Sequence, residues 1–232
     1  MHHLIEGVAR FRRDVFPAKA ELFAGLATRH RPSTLFIGCS DARVPPELIT
    51  QCEPGELFVV RTAGNLVPAH APGAADAVAA GVEYAVAVLE VRDLVVCGHS
   101  GCGAMTALAE EHDLTAVPAV ADWLRHADAA RSRAGLGTGR APTPPAPDRA
   151  ALLDRLVREN VRAQLANLAT HPSVARAVAN GTLTTHGWVY DIATGTVTDL
   201  TASGAATDPT APATDTDAAA DPTAPATPPA AA

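Results

Sequence analysis

Apolar side chains recur every three or four positions near the start of the chain: Leu4, Ile5, Val8, Phe11 and Val15, then Leu22, Phe23 and Leu26. That spacing marks one face of a helix over residues 4–27. Pro17 should break or kink it, because proline removes an amide donor and clashes with the preceding turn. The pattern then changes. Short apolar runs stand at 34–38, 57–60 and 94–97, each followed by a polar turn, and helix-forming stretches at 74–89 and 104–111 alternate with them. Apolar runs of four or five residues suit strands covered on both faces, and their alternation with helices predicts βαβ units. The expected fold class is α/β: a mostly parallel central β-sheet flanked by helices, with an N-terminal helical arm and a C-terminal hairpin. Further helices are expected at 117–133 and 149–168, and another that starts near Thr170-His171-Pro172-Ser173 and ends near Asn180-Gly181. The hairpin should cover 183–200 and turn at Thr194-Gly195.

Composition refines this outline. Apolar residues make up 47% and aromatics only 4%, so Ala, Val and Leu must fill the core. Residues 135–148 hold three Gly and four Pro and read as a flexible loop inside a domain spanning 1–200. Residues 201–232 are Ala, Thr, Pro and Asp with almost no large apolar side chain, and are expected to be a disordered tail. The net charge is −7, and the tail supplies four of those charges through Asp208, Asp215, Asp217 and Asp221. Nothing in that balance resembles the basic patch of a nucleic-acid binder. The longest apolar stretch, 73–91, carries Asp76, Glu83 and Glu90, too many charges for a membrane span. No secretory leader is visible, so a cytoplasmic location is expected. Four cysteines without such a leader point to metal or catalytic use rather than a disulfide framework.

Cys39, His99 and Cys102 carry the sharpest signal. His99 and Cys102 share one tight turn at a predicted strand end, and Cys39 closes another strand end sixty positions earlier. Two thiolates and one imidazole with a free fourth place are the donor set of a catalytic zinc site. The same residues would also serve as two buried cysteines and a hydrogen-bonded core histidine. Cys97, inside a predicted strand, reads as core, and Cys52 as a helix-flanking small residue.

The words around these residues resemble the β-class carbonic anhydrases. They are Cys39-Ser40-Asp41-Ala42-Arg43, Arg61-Thr62-Ala63-Gly64-Asn65 and Gly98-His99-Ser100-Gly101-Cys102-Gly103, with the closing His186-Gly187-Trp188-Val189-Tyr190-Asp191 segment. The resemblance runs from about Leu4 to Leu200. It implies that Cys39, His99 and Cys102 bind Zn2+, and that Asp41 and Arg43 form a dyad in which Asp41 either ligates the metal or pairs with Arg43 when water takes its place. It further implies reversible hydration of CO2 to bicarbonate and a proton by zinc-bound hydroxide. The small apolar pocket would be walled by Phe58 and Tyr84, with the Gly103 N–H offered to substrate. A neighbouring subunit would complete that pocket, implying a homodimer or a dimer of dimers. The same site chemistry would serve hydrolysis of a CO2 analogue such as carbonyl sulfide or carbon disulfide, and a non-catalytic zinc protein would keep the ligands alone. The chain departs from the family in two places. His30 stands where many members have Gln. Phe36 stands where the bicarbonate-inhibited subset has Trp, although the Arg61 and Tyr190 that accompany it are present.

Overall fold

The computed structural model describes residues 2–73, 76–136 and 146–202. Most of the loop expected at 135–148 and of the tail expected from 201 lies outside them. The three apolar runs become β1 (Thr34–Cys39), β2 (Leu57–Thr62) and β3 (Asp93–His99), and the hairpin becomes β4 (Thr184–Tyr190) and β5 (Val197–Asp199). The sheet order is β2-β1-β3-β4-β5. The first four strands are mutually parallel and only β5 runs against its neighbour. Strands β1, β2 and β3 all continue past their apolar runs, to Cys39, Thr62 and His99. The reason is in the ladder: Cys39 still pairs with Thr62 and His99 with Tyr190. Backbone pairing does not depend on the side chains staying apolar.

The two sheet faces are packed unequally. Leu35 and Ile37 of β1 and Leu94 and Val96 of β3 join a large core with helices α4 (Ala77–Glu83) and α8 (Ala146–Leu168). Leu156 of α8 is fully buried there, which stabilises the fold by about 2 kcal/mol. Glycines let α8 lie close to the sheet. A Cβ on Gly98 would come within 2.8 Å of Val161, and one on Gly187 within 2.9 Å of Leu165. The opposite face carries a smaller cluster of Phe36, Val95 and Cys97, joined by Trp188 and Tyr190.

The N-terminal arm is broken as proline chemistry requires. Helix α1 (His2–Arg10) passes through a wide turn at Phe11–Val15 and a tight one at Phe16–Lys19, which holds Pro17, into α2 (Ala20–Leu26). Phe11, Phe16 and Phe23 pack ring on ring across that break, with centroids 5.5–6.1 Å apart. No residue of α1 is buried, and Leu4, Ile5 and Val8 are 60, 64 and 61% exposed.

Three elements differ from expectation. A short helix α3 (Pro46–Thr50) follows β1, too brief to leave a periodic signal in the sequence. Helix α4 starts at Ala77 rather than at 74, because the Asp76 carboxylate accepts the Ala79 N–H at 2.8 Å and caps it. The stretch 117–133 divides into α6 (Pro118–Leu124) and α7 (Asp128–Arg133) around a tight turn at Arg125–Ala127. Helices α5 (Gly103–Ala109) and α9 (Pro172–Ala179) stand where the sequence puts them. Among the described residues, no helix is long and apolar enough to cross a membrane.

Candidate metal centre

Parallel neighbours end on the same side of a sheet, and ligands in such folds gather beyond those carboxyl ends. Cys39 is the last residue of β1 and His99 the last of β3, and the two strands are adjacent. Gly101, at φ +62°, turns the chain so that Cys102 comes back to them just before α5. The ligand atoms of Cys39, His99 and Cys102 all lie within 4.8 Å of one another, and all three residues are buried. His99 Nδ1 donates to the Ser100 carbonyl oxygen at 2.9 Å, a tautomer inferred from that contact. Its Nε2 is fully buried and, among the described residues, has no partner but the cysteine sulfurs beside it. A core histidine satisfied by its surroundings would not strand that atom. An imidazole fixed through one nitrogen and open at the other, beside two sulfurs, fits a metal ligand. The softness of the donors suits zinc, with one tetrahedral position left over.

The two sulfurs are not equivalent. The Cys39 thiol is pulled well below its ordinary range, chiefly by a hydrogen bond from Cys102, against the opposing effect of burial. His99 and the backbone N–H groups of Asp41 and Gly64 add to the pull. Cys102 is pushed up by the same shared proton and by burial. Cys97 behaves as the core residue the sequence suggests: burial raises its thiol to about 12.

Asp41 and Arg43 form a two-pronged pair. Asp41 Oδ1 accepts from Arg43 Nε and from the Arg43 backbone N–H, each at 2.9 Å, and Oδ2 accepts from Nη2 at 2.6 Å. This pairing holds the Asp41 carboxyl well below the usual carboxylate range. Arg43 Nη2 also donates to the Gly101 carbonyl at 3.1 Å, which ties the loop after β1 to the loop after β3. Asp41 thus stands beside the three donors rather than among them, with Oδ2 3.9 Å from His99 Nε2. Arg61 reaches the Cys39 carbonyl at 2.9 Å, the Asp41 carbonyl at 2.6 Å and the Val44 carbonyl at 3.1 Å. Its guanidinium is occupied in shaping this loop. Phe36 and Tyr190 belong instead to the small cluster on the sheet face.

Sequence reasoning missed a layer behind the site. Asn160, Gln164 and Asn167 lie along one face of α8 and grip the segment after β2. Asn160 Nδ2 donates to the Gly64 carbonyl at 2.9 Å, and Gln164 Oε1 accepts the Val67 N–H at 2.9 Å. Asn167 Nδ2 donates to the Val67 carbonyl at 2.8 Å, and Gln164 Nε2 donates to Asn160 Oδ1 at 2.9 Å. The available signal was polar residues at helical spacing on a face that also carries Val157, Val161 and Leu168. From α6, Trp123 Nε1 donates to the Ala63 carbonyl at 2.9 Å.

The proposed pocket walls lie elsewhere on the chain. Phe58 opposes Leu35, four register positions from the Cys39–Thr62 pair, or about 13 Å along the strand. Its ring packs against Tyr84, with centroids 6.0 Å apart, and against His30 at 6.3 Å. Tyr84 is 44% exposed. One chain therefore does not bring Phe58 and Tyr84 to its own three donors. Gly103, next to Cys102, opens α5, is exposed, and has open space around its α-carbon.

Comparison with known proteins gives a consistent picture. Residues 34–197 match the family model described as carbonic anhydrase. The carbonic anhydrase of Pseudomonas aeruginosa strain PAO1 is 56% identical over 200 residues, covering 86% of this chain and 87% of that protein. The solved structure of the β-carbonic anhydrase CcaA superposes with a TM-score of 0.77 at 40% identity, covering 86% of each chain. One of two β-carbonic anhydrases from Sordaria macrospora, described as tetrameric, superposes with a TM-score of 0.72 at 27% identity, covering 88% of this chain and 98% of that one.

Proposed function

The chain belongs to the β-carbonic anhydrase family, and on that premise we propose how its own residues carry out the reversible hydration of carbon dioxide to bicarbonate and a proton. Cys39, His99 and Cys102 hold a zinc ion. The observation that carries this reading is the buried, unpartnered Nε2 of His99 set among two sulfurs. Zinc in such a set supplies Lewis acidity, which lowers the pKa of a bound water from 15.7 to about 7.

The surrounding residues orient and discharge the reaction. An ionised carboxylate only accepts hydrogen bonds. Asp41, kept ionised by Arg43, therefore accepts a hydrogen bond from the attacking solvent molecule and turns its lone pair towards the carbon. To ligate the metal itself, Asp41 would have to give up the two-pronged contact with Arg43, so that contact favours the form open to solvent. The Gly103 N–H, next to Cys102 and exposed, is placed to donate to a substrate oxygen.

The enzyme works as a homodimer or a dimer of dimers, in which Phe58 and Tyr84 of one copy wall the cleft of another. Two observations support this. Phe58 sits four register positions down the strand from the Cys39–Thr62 pair and packs on Tyr84, and the apolar stripe Leu4, Ile5 and Val8 of the arm is exposed. Scattering-coupled gel filtration should give a dimer or tetramer mass.

Stopped-flow CO2 hydration on protein of measured metal content tests the whole reading. Turnover should track zinc content, and His99→Ala or Cys39→Ser should lose both together. Full turnover in metal-free protein would refute it.

A further inference from the structure

A cavity of about 820 Å³ opens at the end of the sheet opposite the metal centre. Small-molecule sites run from about 300 to 1,000 Å³. Asp93 and Thr184, which pair where β3 and β4 begin, line it. His99 closes β3 at the other end, about 20 Å along the strand. Arg92, just before β3, and Arg176, on α9, reach the cavity from two different elements. Among the described residues neither guanidinium has an ion-pair partner, and of the two carboxylates that line the cavity, Glu90 and Asp93, the second is taken by His186 Nε2 at 2.9 Å. Ser173 lines the same space at 8% exposed, and its hydroxyl makes no hydrogen bond among the described residues. Buried hydroxyls are rarely left without a partner. Val86 and Val91, both buried, supply an apolar wall.

We propose that this cavity is a second binding site, for a small organic anion. Its carboxylate or phosphate is held by Arg92 and Arg176, whose planar forks match either oxyanion. The Ser173 hydroxyl donates to the same group, and the apolar body of the ligand lies on Val86 and Val91. Glu90 is the carboxylate left to repel a ligand that carries many negative charges. The site is separate from the metal centre and does not depend on how the metal is held.

Calorimetric titration of the zinc-loaded full chain at low salt tests it. The probes are benzoate and phenyl phosphate, which share a ring and differ in the charged head, and inorganic phosphate, which has no body. One ring-bearing probe should bind one per chain, at least tenfold tighter than inorganic phosphate, and the better of the two identifies the head group. Arg92→Gln and Arg176→Gln should each weaken it at least tenfold and leave CO2 turnover unchanged. No binding by either ring-bearing probe overturns the proposal. So does binding that survives both substitutions but vanishes when the metal is removed, which is capture by zinc. Binding seen only in a chain truncated after Ala202 would make the acidic tail the occupant and would overturn it as well. Amide NMR shifts in the unmodified chain locate the probe without any variant: they should cluster at Arg92, Ser173 and Thr184, and shifts confined to other residues refute the site.

Discussion

Replacing Gly64 with alanine probes the fold and the metal centre at once. Gly64 lies at φ +74°, where an L side chain is strained, at a cost of about 1–2 kcal/mol. A Cβ there would stand 2.9 Å from the Ala104 Cβ and 3.3 Å from the Met105 Cε. Met105 is a flexible neighbour, but Ala104 is one residue into α5, so the helix start must shift; such overpacking costs about 1–3 kcal/mol. The lower entropy of the unfolded alanine chain returns about 0.4–1 kcal/mol. The net loss is about 1–4.6 kcal/mol by these figures. Equilibrium urea unfolding of metal-free protein reads it. Gly195→Ala is the control for strain alone: Gly195 has φ +75° and no atom within 4 Å of an added Cβ, so strain less the same unfolded-state return leaves a loss of only about 0–1.6 kcal/mol there. The shift of α5 also moves Cys102, so zinc affinity should fall in Gly64→Ala and hold in Gly195→Ala. If the two substitutions cost the same and neither changes zinc affinity, then Gly64 does not join the turn after β2 to the metal-bearing helix.

Three further outcomes follow from the same geometry. Asp41→Ala should keep its zinc but lose about 10²–10⁴ in turnover, the usual range for a positioned proton acceptor; metal analysis beside stopped-flow kinetics checks both. The Asp191 carboxyl is held below its ordinary 3.8 by the Thr194 and Ala193 amides of the hairpin turn. A depressed carboxyl stabilises the fold above the unfolded value and loses that contribution as pH falls. The stability gap between wild type and Asp191→Asn, measured on metal-free protein by denaturant titration, should therefore be constant near neutrality and shrink below about pH 4. A chain truncated after Ala202 should keep its turnover per zinc, and a clear loss in stopped-flow assays would give the tail a role in catalysis.

The parts legible in the sequence were those written in short-range patterns. Unbroken apolar runs gave β1, β2 and β3, and the motifs at the ends of β1 and β3 pointed to Cys39, His99 and Cys102, which the fold brings together. What the sequence hid depends on tertiary partners. Helix α3 is five residues long and leaves no period to read. Asn160 and Gln164 are nearly fully buried, but their purpose shows only once α8 is laid against the turn at Ala63–Asn65. Arg61 was read beside Tyr190 and Phe36 from motif positions, yet its reach is to three backbone carbonyls, which carry no side-chain identity. Phe58 and Tyr84 were placed at the site by resemblance, and a single chain holds them together but away from the donors.

The adjacency of β1 and β3 gives the metal a second task. An ion shared by Cys39 and Cys102 would be a suture between residues 63 positions apart in the chain. Closing a loop of that length removes about 4 kcal/mol of freedom from the unfolded chain by the relation for covalent cross-links. Loss of zinc would then unstitch the middle of the sheet as well as silence the chemistry. Partly loaded preparations should melt in two steps, and proteases should take the empty molecules first.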